Sequence, residues 1–416
     1  MTMSSGQKLR IAFVDMIFSW PPNGGADADL FNVAGGLSRR GYDVRLFVAH
    51  EPGSTERGLV DVQQVPFPVT RLEFSRKELA PAVLCPRFRD AVDEWHPDIV
   101  FLTHGFALKP HLALALAHYP VVGRFYAHEL ACARDALRFK NGRPCPYDYL
   151  RTPDICRPCA LSLLGPQIRQ EDPRTWAVDW IAAEAWKTEY HHVVLDSLRA
   201  YAAVIVSNRS LQTHVGDLAK RVEVFPGGAP VKDIQPAPTG RNPEKKIIFA
   251  AGRMDDPLKG LDVLLEAGRM LSEKRSDFEI HATHFDTERS GGYFKALGWM
   301  TYAETLELYR NADIVVVPSI WEEPFGLVAV EGMAAGLPVC ASRTGGLADI
   351  VRDGETGFLF TPGNAVELAE KLATLLDDAS LRYRLGAAGR RVAEKEYDWD
   401  AVIERHYLPL IGELTD

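Results

Sequence analysis

The sequence predicts an α/β protein of two domains, each with a parallel β-sheet covered by helices. Three observations point to this class. The chain has 416 residues, more than one average domain holds. Short β-branched runs such as Ile314 to Val317 alternate with segments of helical spacing, as in buried parallel sheets. A stretch rich in Pro and Gly, residues 229–244, is typical of a linker and separates two such halves.

Composition excludes several functional classes. Hydrophobic residues make up 46% of the chain and charged residues 25%, which is ordinary for a globular protein with large cores. The net charge of -9 and the lack of a basic motif argue against nucleic-acid binding. Six cysteines in a chain of this length do not make a disulfide scaffold.

The hydrophobic pattern does not predict a membrane span, because no apolar run approaches the ~20 residues that crossing requires. The apolar run after Lys8 could imitate a signal peptide, but Asp15 interrupts it and no small-residue cleavage site follows. We therefore expect a first strand there and a cytoplasmic protein, with peripheral contact at the inner membrane face left open.

The first half opens with a βαβ pattern. We predict a strand over Leu9–Asp15, a helix over Ala28–Arg40 and a strand over Tyr42–Ala49. Gly24 and Gly25 lie in the first turn of this unit, where glycines let the backbone approach a phosphate closely. A glycine pair alone is barely more specific than an ordinary turn.

Two further buried strands end at histidines. The strand predicted over residues 98–103 ends at His104, and the strand predicted over 121–127 ends at His128. Both positions lie where strand ends of a parallel sheet meet a ligand crevice. A lone histidine is nevertheless more often structural than catalytic, so the residues alone leave both roles open.

An insertion at about residues 130–165 carries four cysteines: Cys132, Cys145, Cys156 and Cys159. Four thiolates could hold a structural zinc ion, but the first two lack the C-x-x-C spacing of the second pair. Free thiols in a loop-rich insertion are the alternative, since disulfides are unusual in a reducing compartment. The insertion is also locally basic, which suits an anionic acceptor or lipid headgroups if it is not simply solvated.

The remaining elements of the first half run to the linker. We predict one or two helices over residues 176–202, strands over 203–207 and 222–225, and a helix over 211–219. Pro226-Gly227-Gly228 is an exit turn before the linker.

The second half begins with a strand over Lys246–Ala251. The loop after it holds Arg253 and Lys259, ahead of a helix over Leu261–Leu271. Two cations on one loop can stabilise a departing diphosphate, although solvent-exposed cations are the plainer interpretation. Further elements are predicted over residues 278–282 (strand), 304–310, 365–376 and 381–395 (helices).

The stretch 311–361 carries the most specific pattern. A loop with Glu323 follows the strand 314–317 and leads into a helix over Leu327–Ala335 that contains Glu331. Free backbone N–H groups near Gly326 suit a phosphate. Carboxylates accept hydrogen bonds from hydroxyls, so a phosphate between a sugar and a ribose fits this loop. Such a molecule is a nucleotide sugar.

The segment EPFGLVAVEGMAAGLPV, from Glu323 onward, resembles the signature of family-4 retaining glycosyltransferases of the GT-B fold. The segments AGRMDDPLKGLDVLLEA and RFYAHE and the Gly345-Gly346 turn are also similar to that family. The resemblance implies two Rossmann-like domains facing across a cleft. It places the acceptor-side domain at 1–228, the linker at 229–244, the nucleotide-sugar domain at 245–396, and at 397–416 a helix that crosses back to the first domain.

The resemblance also implies site residues. Those implied as catalytic are His128, Arg253, Lys259 and Glu323. Those implied as donor-binding are Gly24, Gly25, Met300, Pro324, Phe325, Gly326, Leu327, Val328 and Glu331. In that family the first glutamate touches the transferred sugar and the second holds the ribose.

The implied reaction transfers a hexosyl group from a UDP- or GDP-sugar to a hydroxyl, with retention and without a metal or other cofactor, in glycan or glycoconjugate biosynthesis. The acceptor can be a saccharide, a lipid-linked saccharide or a small metabolite. A sugar-nucleotide 2-epimerase of the same overall fold and a non-catalytic sugar-nucleotide-binding protein remain as alternatives. The donor base and sugar, the linkage and the oligomeric state stay open.

Overall fold

The structure is a computed structural model that describes residues 8–54, 57–168, 174–238 and 244–415. The chain divides into two compact units. The first contains described residues of 8–138, 145–225 and 403–415, and the second contains those of 139–144 and 226–402. Within the described residues, no helix is long and apolar enough to cross a membrane.

The strands in chain order are β1 (Arg10–Asp15), β2 (Asp43–His50), β3 (Val69–Glu73), β4 (Ile99–Leu102), β5 (Val121–Arg124), β6 (Phe139–Lys140), β7 (Arg143–Pro144), β8 (Ala203–Val206), β9 (Val222–Val224), β10 (Lys246–Ala250), β11 (Phe278–Ala282), β12 (Phe294–Ala296), β13 (Ile314–Val317), β14 (Val339–Ser342) and β15 (Gly357–Phe360).

The α-helices in chain order are α1 (Gly25–Arg39), α2 (Pro81–Trp95), α3 (Lys109–Ala115), α4 (Pro153–Ile168), α5 (Thr175–Ala182), α6 (Thr188–Ala200), α7 (Arg209–Val215), α8 (Leu261–Ser272), α9 (Tyr302–Asn311), α10 (Leu327–Ala334), α11 (Gly345–Ile350), α12 (Ala365–Asp377), α13 (Ala379–Val392), α14 (Trp399–Val402) and α15 (Leu408–Thr415).

Each unit is built on one parallel sheet. The first sheet has the strand order β3-β2-β1-β4-β5-β8-β9, and the second has the order β12-β11-β10-β13-β14-β15. All pairings in both sheets are parallel, and β6 and β7 form a separate antiparallel pair. Both sheets are Rossmann-like, as the sequence predicts.

The strand order reverses between β1 and β4 in the first sheet and between β10 and β13 in the second. We call each of these positions a switch point. Loops that leave the carboxyl ends of two strands diverge there and open a crevice, which is where open α/β sheets bind ligands. The topology therefore marks one candidate ligand site on each unit.

Interior prolines explain why the sequence did not reveal helices α2 and α4. Helix α2 contains Pro86, and helix α4 contains Pro158 and Pro166. Interior prolines normally argue against a helix, so no helix was expected over 81–95 or 153–168. The expectation of a loop-rich insertion is wrong for residues 153–168, which form the helix α4.

Helix α1 begins at Gly25, three residues before the predicted start, with Gly24 as the extended N-cap residue. Glycine has low helix propensity, so local sequence placed this boundary too late.

The predicted linker is packed rather than solvated over its first residues. Ala229, Val231 and Ile234 are buried in the core of the second unit. The amide of Ala229 donates to the carbonyl of Tyr397, at 2.8 Å. The last part of the predicted linker, residues 239–243, lies outside the described residues.

The C-terminal segment 403–415 groups with the first unit, and residues up to 402 group with the second. The ring of Tyr407 lies 5.9 Å from that of Phe101, on the central strand β4. A Cβ on Gly36 of α1 would lie 2.2 Å from a terminal carbon of Ile403, so only glycine admits this contact. The segment thus packs against the sheet and against α1.

Candidate active site

The switch point of the second sheet brings two loops side by side. Arg253 and Lys259 lie on the loop after β10, and Glu323 lies on the loop after β13. The strands β10 and β13 are hydrogen-bonded neighbours. The loops are tied directly as well, because the amide of Ile320 donates to the carbonyl of Leu258 at 2.9 Å.

Lys259 and Glu323 meet at the centre of this site. The Lys259 Nζ lies 2.6 Å from the Glu323 Oε1, and the Ser319 hydroxyl donates to the same oxygen at 2.7 Å. Glu323 is buried, and the ammonium also lies 5.6 Å from the centre of the Trp321 ring. A buried carboxylate needs such partners, because an uncompensated charge in the interior is costly.

Gly260 allows the close approach that this ion pair requires. It has φ +75°, and a Cβ there would lie 2.0 Å from the carbonyl oxygen of Pro318. Any larger residue would push the loop of Lys259 away from the end of β13. The glycine therefore sets the distance between the two loops.

A second glycine pair supports Glu323 from the other side. Gly345 and Gly346 begin α11, and the amide of Gly346 donates to the carbonyl of Glu323 at 2.7 Å. A Cβ on Gly345 would lie 2.2 Å from that carbonyl oxygen, and one on Gly346 would lie 2.3 Å from the carbonyl of Phe325. The backbone of the Glu323 loop is thus clamped against the start of α11.

Helix α10 starts at the end of the same loop. Its N-cap residue is Gly326 at φ +124°, and no side chain caps the helix. Within the described residues, the amides of Leu327 and Val328 have no hydrogen-bond acceptor, whereas Ala329 donates to Gly326. Free N–H groups at a helix start, together with the helix dipole, favour an anionic group such as a phosphate.

Glu331 lies one turn further along α10 and is buried, with 3% of its surface exposed. Its Oε2 accepts a hydrogen bond from the Tyr309 hydroxyl at 2.9 Å, while its Oε1 has no partner among the described residues. Burial raises the pKa of this carboxyl to about 7, and the hydroxyls of Tyr309 and Tyr302 only partly offset that rise. A buried oxygen without a donor is ready for a ligand hydroxyl.

The other residues predicted for this site lie on its borders. Arg253 is exposed, and its guanidinium makes no hydrogen bond or ion pair to the described part of the chain. Pro324 and Phe325 are half-buried between Glu323 and Gly326, and Met300 is half-buried just before α9. The structure therefore joins Lys259 to Glu323 and leaves the Arg253 side chain open to solvent.

The residues predicted in the first unit lie at strand ends and at the start of α1. Gly24 and Gly25 have open space where a Cβ would stand, so neither position requires glycine for steric reasons. His128 follows β5 and is fully buried, with its ring 5.9 Å from that of His214. His104 lines a cavity at the switch point of the first sheet.

Within the described residues, the four cysteines of the insertion form no disulfide bond. Across the described part of the chain, none of them belongs to a group of three or more possible ligands close enough to hold one metal ion. Burial raises the pKa of Cys156 to about 11, and the nearby Cys132, Cys145 and Cys159 add to that rise. Without a bound cation, this environment favours the protonated thiol.

Sequence reasoning missed three partners of the site, namely Ser319, Trp321 and Tyr309. The first two follow β13 directly, so their position at a strand end was a usable signal. Tyr309 lies on α9, 22 residues before Glu331, and only the tertiary packing brings the two together.

Comparison with known proteins agrees with this geometry. The family described as "Glycosyl transferases group 1" matches residues 291–392, and "Glycosyltransferase Family 4" matches residues 23–154. Both matches are to glycosyltransferase families, which confirms the resemblance to family 4 that the sequence indicates. The first match covers Glu323 and Glu331, and the second covers the Gly24-Gly25 turn and His128.

A curated relative of this chain is a phosphatidyl-myo-inositol mannosyltransferase of Mycobacterium leprae. It is 35% identical over 207 residues, which cover 45% of this chain and 55% of that protein. The chain thus spans only about half the length of that relative.

Two solved structures share the GT-B fold. A sucrose-phosphate synthase from Thermosynechococcus elongatus has a TM-score of 0.64 at 20% identity, covering 98% of this chain and 100% of that one. The Anabaena protein HepE, solved with UDP-glucose, has a TM-score of 0.63 at 18% identity, covering 97% and 100%.

Proposed function

We propose that this chain is a family-4 retaining glycosyltransferase that moves a hexosyl group from a nucleoside-diphosphate sugar to an acceptor hydroxyl. The observation that carries the proposal is the contact between Lys259 and Glu323, beside the uncapped start of α10. One cation, one carboxylate and free backbone amides at one switch point match a sugar joined to a diphosphate. The buried, unpartnered oxygen of Glu331 adds a place for a ribose hydroxyl.

The donor is proposed to be a UDP- or GDP-sugar. HepE has been solved with UDP-glucose, and the M. leprae relative is named as a mannosyltransferase. These names support a nucleotide-sugar donor and a product in glycan or glycolipid biosynthesis.

The chemistry follows from where charge develops. When the bond from the anomeric carbon to the diphosphate breaks, negative charge grows on the leaving phosphate. Lys259, Arg253 and the amides of Leu327 and Val328 would stabilise that charge, which lowers the barrier. The acceptor hydroxyl attacks on the same face, and its proton passes to a phosphate oxygen. In this scheme the two side-chain cations do the work for which other enzymes use a metal ion.

Glu323 would hold the hydroxyls of the transferred sugar rather than act as a nucleophile. Its Oε1 already accepts from Lys259 and Ser319, so the carboxylate is fixed in orientation. Glu323→Gln keeps the shape but weakens these charge-assisted hydrogen bonds. We expect the variant to lose more sugar transfer than nucleoside-diphosphate affinity.

A transfer assay with radiolabelled UDP- and GDP-sugars, with and without a mixed saccharide acceptor pool, tests the proposal. Lys259→Met should lower kcat by about 10²- to 10³-fold, as expected for loss of one charge-stabilising donor. Lys274→Met, at an exposed site after α8, is the matched control and should keep full activity. Product formed from the donor alone, with no acceptor requirement, would instead indicate an epimerase.

A further inference from the structure

Helix α10 is held at its carboxyl end as well as at its amino end. It has 8 residues, so only about 12 Å separate the Gly326 end, where the diphosphate is proposed to bind, from Ala334. The last carbonyls of a helix have no partner within it and need donors from elsewhere. The guanidinium of Arg390, on α13, donates to the carbonyl of Ala334. The amide of Ala237 donates to the carbonyl of Ala335 at 2.8 Å.

We call residues 229–237 the connecting segment, because the chain enters the second unit through them. Arg390 also donates to the carbonyl of Ile234 in this segment, at 2.7 Å. Ile234 is buried, and a buried carbonyl needs such a donor. One guanidinium therefore links the end of α10 to the connecting segment, and the hydrogen bond of Ala237 is a second link.

Two features fix the Arg390 side chain in this position. Its Nε donates to the Glu394 carboxylate at 2.6 Å. Helix α13 also lies close to the turn after α10, because a Cβ on Gly386 would stand 2.0 Å from the carbonyl oxygen of Gly336. Gly386 and Arg390 are four residues apart and share one face of α13, so this approach brings the guanidinium to the end of α10. The helix dipole favours a cation there.

The start of the connecting segment lies beside the residues through which the chain leaves the second unit. The Lys232 ammonium lies 2.7 Å from Asp400 there. The Lys232 side chain is 70% exposed, so water screens this ion pair and it contributes little stability. The less exposed contacts at Ile234 and Ala237 are therefore the stronger attachment of the segment, and both lead to the end of α10.

We propose that Arg390 is a positioning residue of the donor site, and that it couples diphosphate binding at the start of α10 to the order of the connecting segment. A bound diphosphate would restrain the amino end of this short helix. Arg390 would pass that restraint to Ile234, because its guanidinium contacts both carbonyls at once. Coupling free energies are reciprocal, so an ordered segment would in turn strengthen diphosphate binding. The inference rests on the proposed donor site and does not involve an acceptor.

Helix α13 supplies a matched control for Arg390. Arg382 donates to the carbonyls of Leu375 at 2.5 Å and Leu376 at 3.0 Å, at the carboxyl end of α12. It is the same kind of cap, from the same helix, on a helix that carries no residue of the proposed donor site. A purely structural role would make Arg390 and Arg382 equivalent in every nucleotide-dependent measurement.

Hydrogen–deuterium exchange on the full chain, with and without saturating UDP or GDP, tests the coupling. We expect the bound nucleotide to slow exchange of the amides in the connecting segment by about 5-fold or more. Arg390→Met should abolish this protection and raise the Kd for the nucleotide by a similar factor, as reciprocity requires. Arg390→Lys, which keeps one charged donor, should restore part of both effects. Arg382→Met should keep the protection and the Kd of the wild type.

The outcomes separate coupling from a purely structural role and from the proposed function. Protection that is lost in Arg390→Met and kept in Arg382→Met supports the inference, even if no transfer is found. No protection in the wild type, or equal protection in the wild type and Arg390→Met, overturns the inference and leaves the proposed transferase intact.

Two further outcomes also decide the question. If Arg390→Met fails to fold, Arg390→Lys takes its place. Less protection in that variant than in the wild type then supports the coupling, and equal protection overturns it. A chain that binds neither UDP nor GDP overturns the donor site and this inference together.

Discussion

Glu331 offers a pH test of the site, because its burial couples protonation to both folding and nucleotide binding. Its pKa is raised to about 7, from an ordinary value of 4.5. The folded state therefore holds this proton more tightly than the unfolded chain. The stability that Glu331 contributes is fully present below pH 4.5 and is lost as pH rises through about 7.

The full shift corresponds to about 3 kcal/mol, and between pH ~5.5 and ~8 the linkage relation gives about 2 kcal/mol. Glu331→Gln keeps the size of the side chain and cannot ionise. The difference in stability between wild type and variant should therefore fall by about 2 kcal/mol over that range, which is about 4–8 °C in melting temperature. Differential scanning fluorimetry of both proteins across the range measures it.

Nucleotide binding should show the opposite trend. The ionised carboxylate accepts a ribose hydroxyl better than the protonated acid does, so UDP affinity should rise with pH up to about 7 in the wild type. The variant should show no such rise, as isothermal titration would reveal. A stability difference that stays constant across the range would refute the reasoning, since the carboxyl would then titrate as it does in water.

Three further results are expected. Gly260→Ala should destabilise the chain by several kcal/mol in urea unfolding. The control Gly363→Ala, at a similar φ of +79° with open space around it, should cost only about 1 kcal/mol. Equal losses of stability would show that the close contact at Gly260 relaxes freely. Arg57→Met should cost about 3–5 kcal/mol by leaving the Asp179 carboxylate buried and unpaired, and Asp179→Leu added to it should restore most of that loss; a double variant as unstable as Arg57→Met alone would contradict this. The four cysteines of the insertion should all react with a thiol reagent in the unfolded chain, and elemental analysis should find far less than one zinc ion per chain. One tightly held zinc ion per chain would instead show that the four sulfurs converge on a metal.

The sequence predicted the parts of the fold that are encoded locally. A run such as Ile314–Val317 is apolar, β-branched and bounded by a proline, so the strand and the loop after it followed from a few residues. That loop placed Glu323 at a strand end, and the structure brings it into contact with Lys259 from the neighbouring loop. Both could be proposed as site residues, because the loops after neighbouring parallel strands lie at the same edge of the sheet.

The remaining features depend on packing between distant segments. Tyr309 reaches Glu331 from a different helix, and Arg57 pairs with Asp179 across 122 residues. Neither hydrophobic periodicity nor a short sequence motif predicts contacts between residues so far apart in the chain. His104 received less weight than His128 because only the second has a motif around it, yet it is His104 that lines the cavity of the first unit.

The path of the chain has a consequence for its synthesis. The first unit takes one of its segments, residues 403–415, from a part of the chain that follows residues 226–402 of the second unit. During translation the surfaces of Phe101 and Gly36 that this segment covers stay bare until residues 403–415 have been made. The nascent first unit therefore stays incomplete while the 177 residues from 226 to 402 emerge and fold. Chaperones that shield exposed apolar surface would have their longest opportunity to act on this chain during that interval.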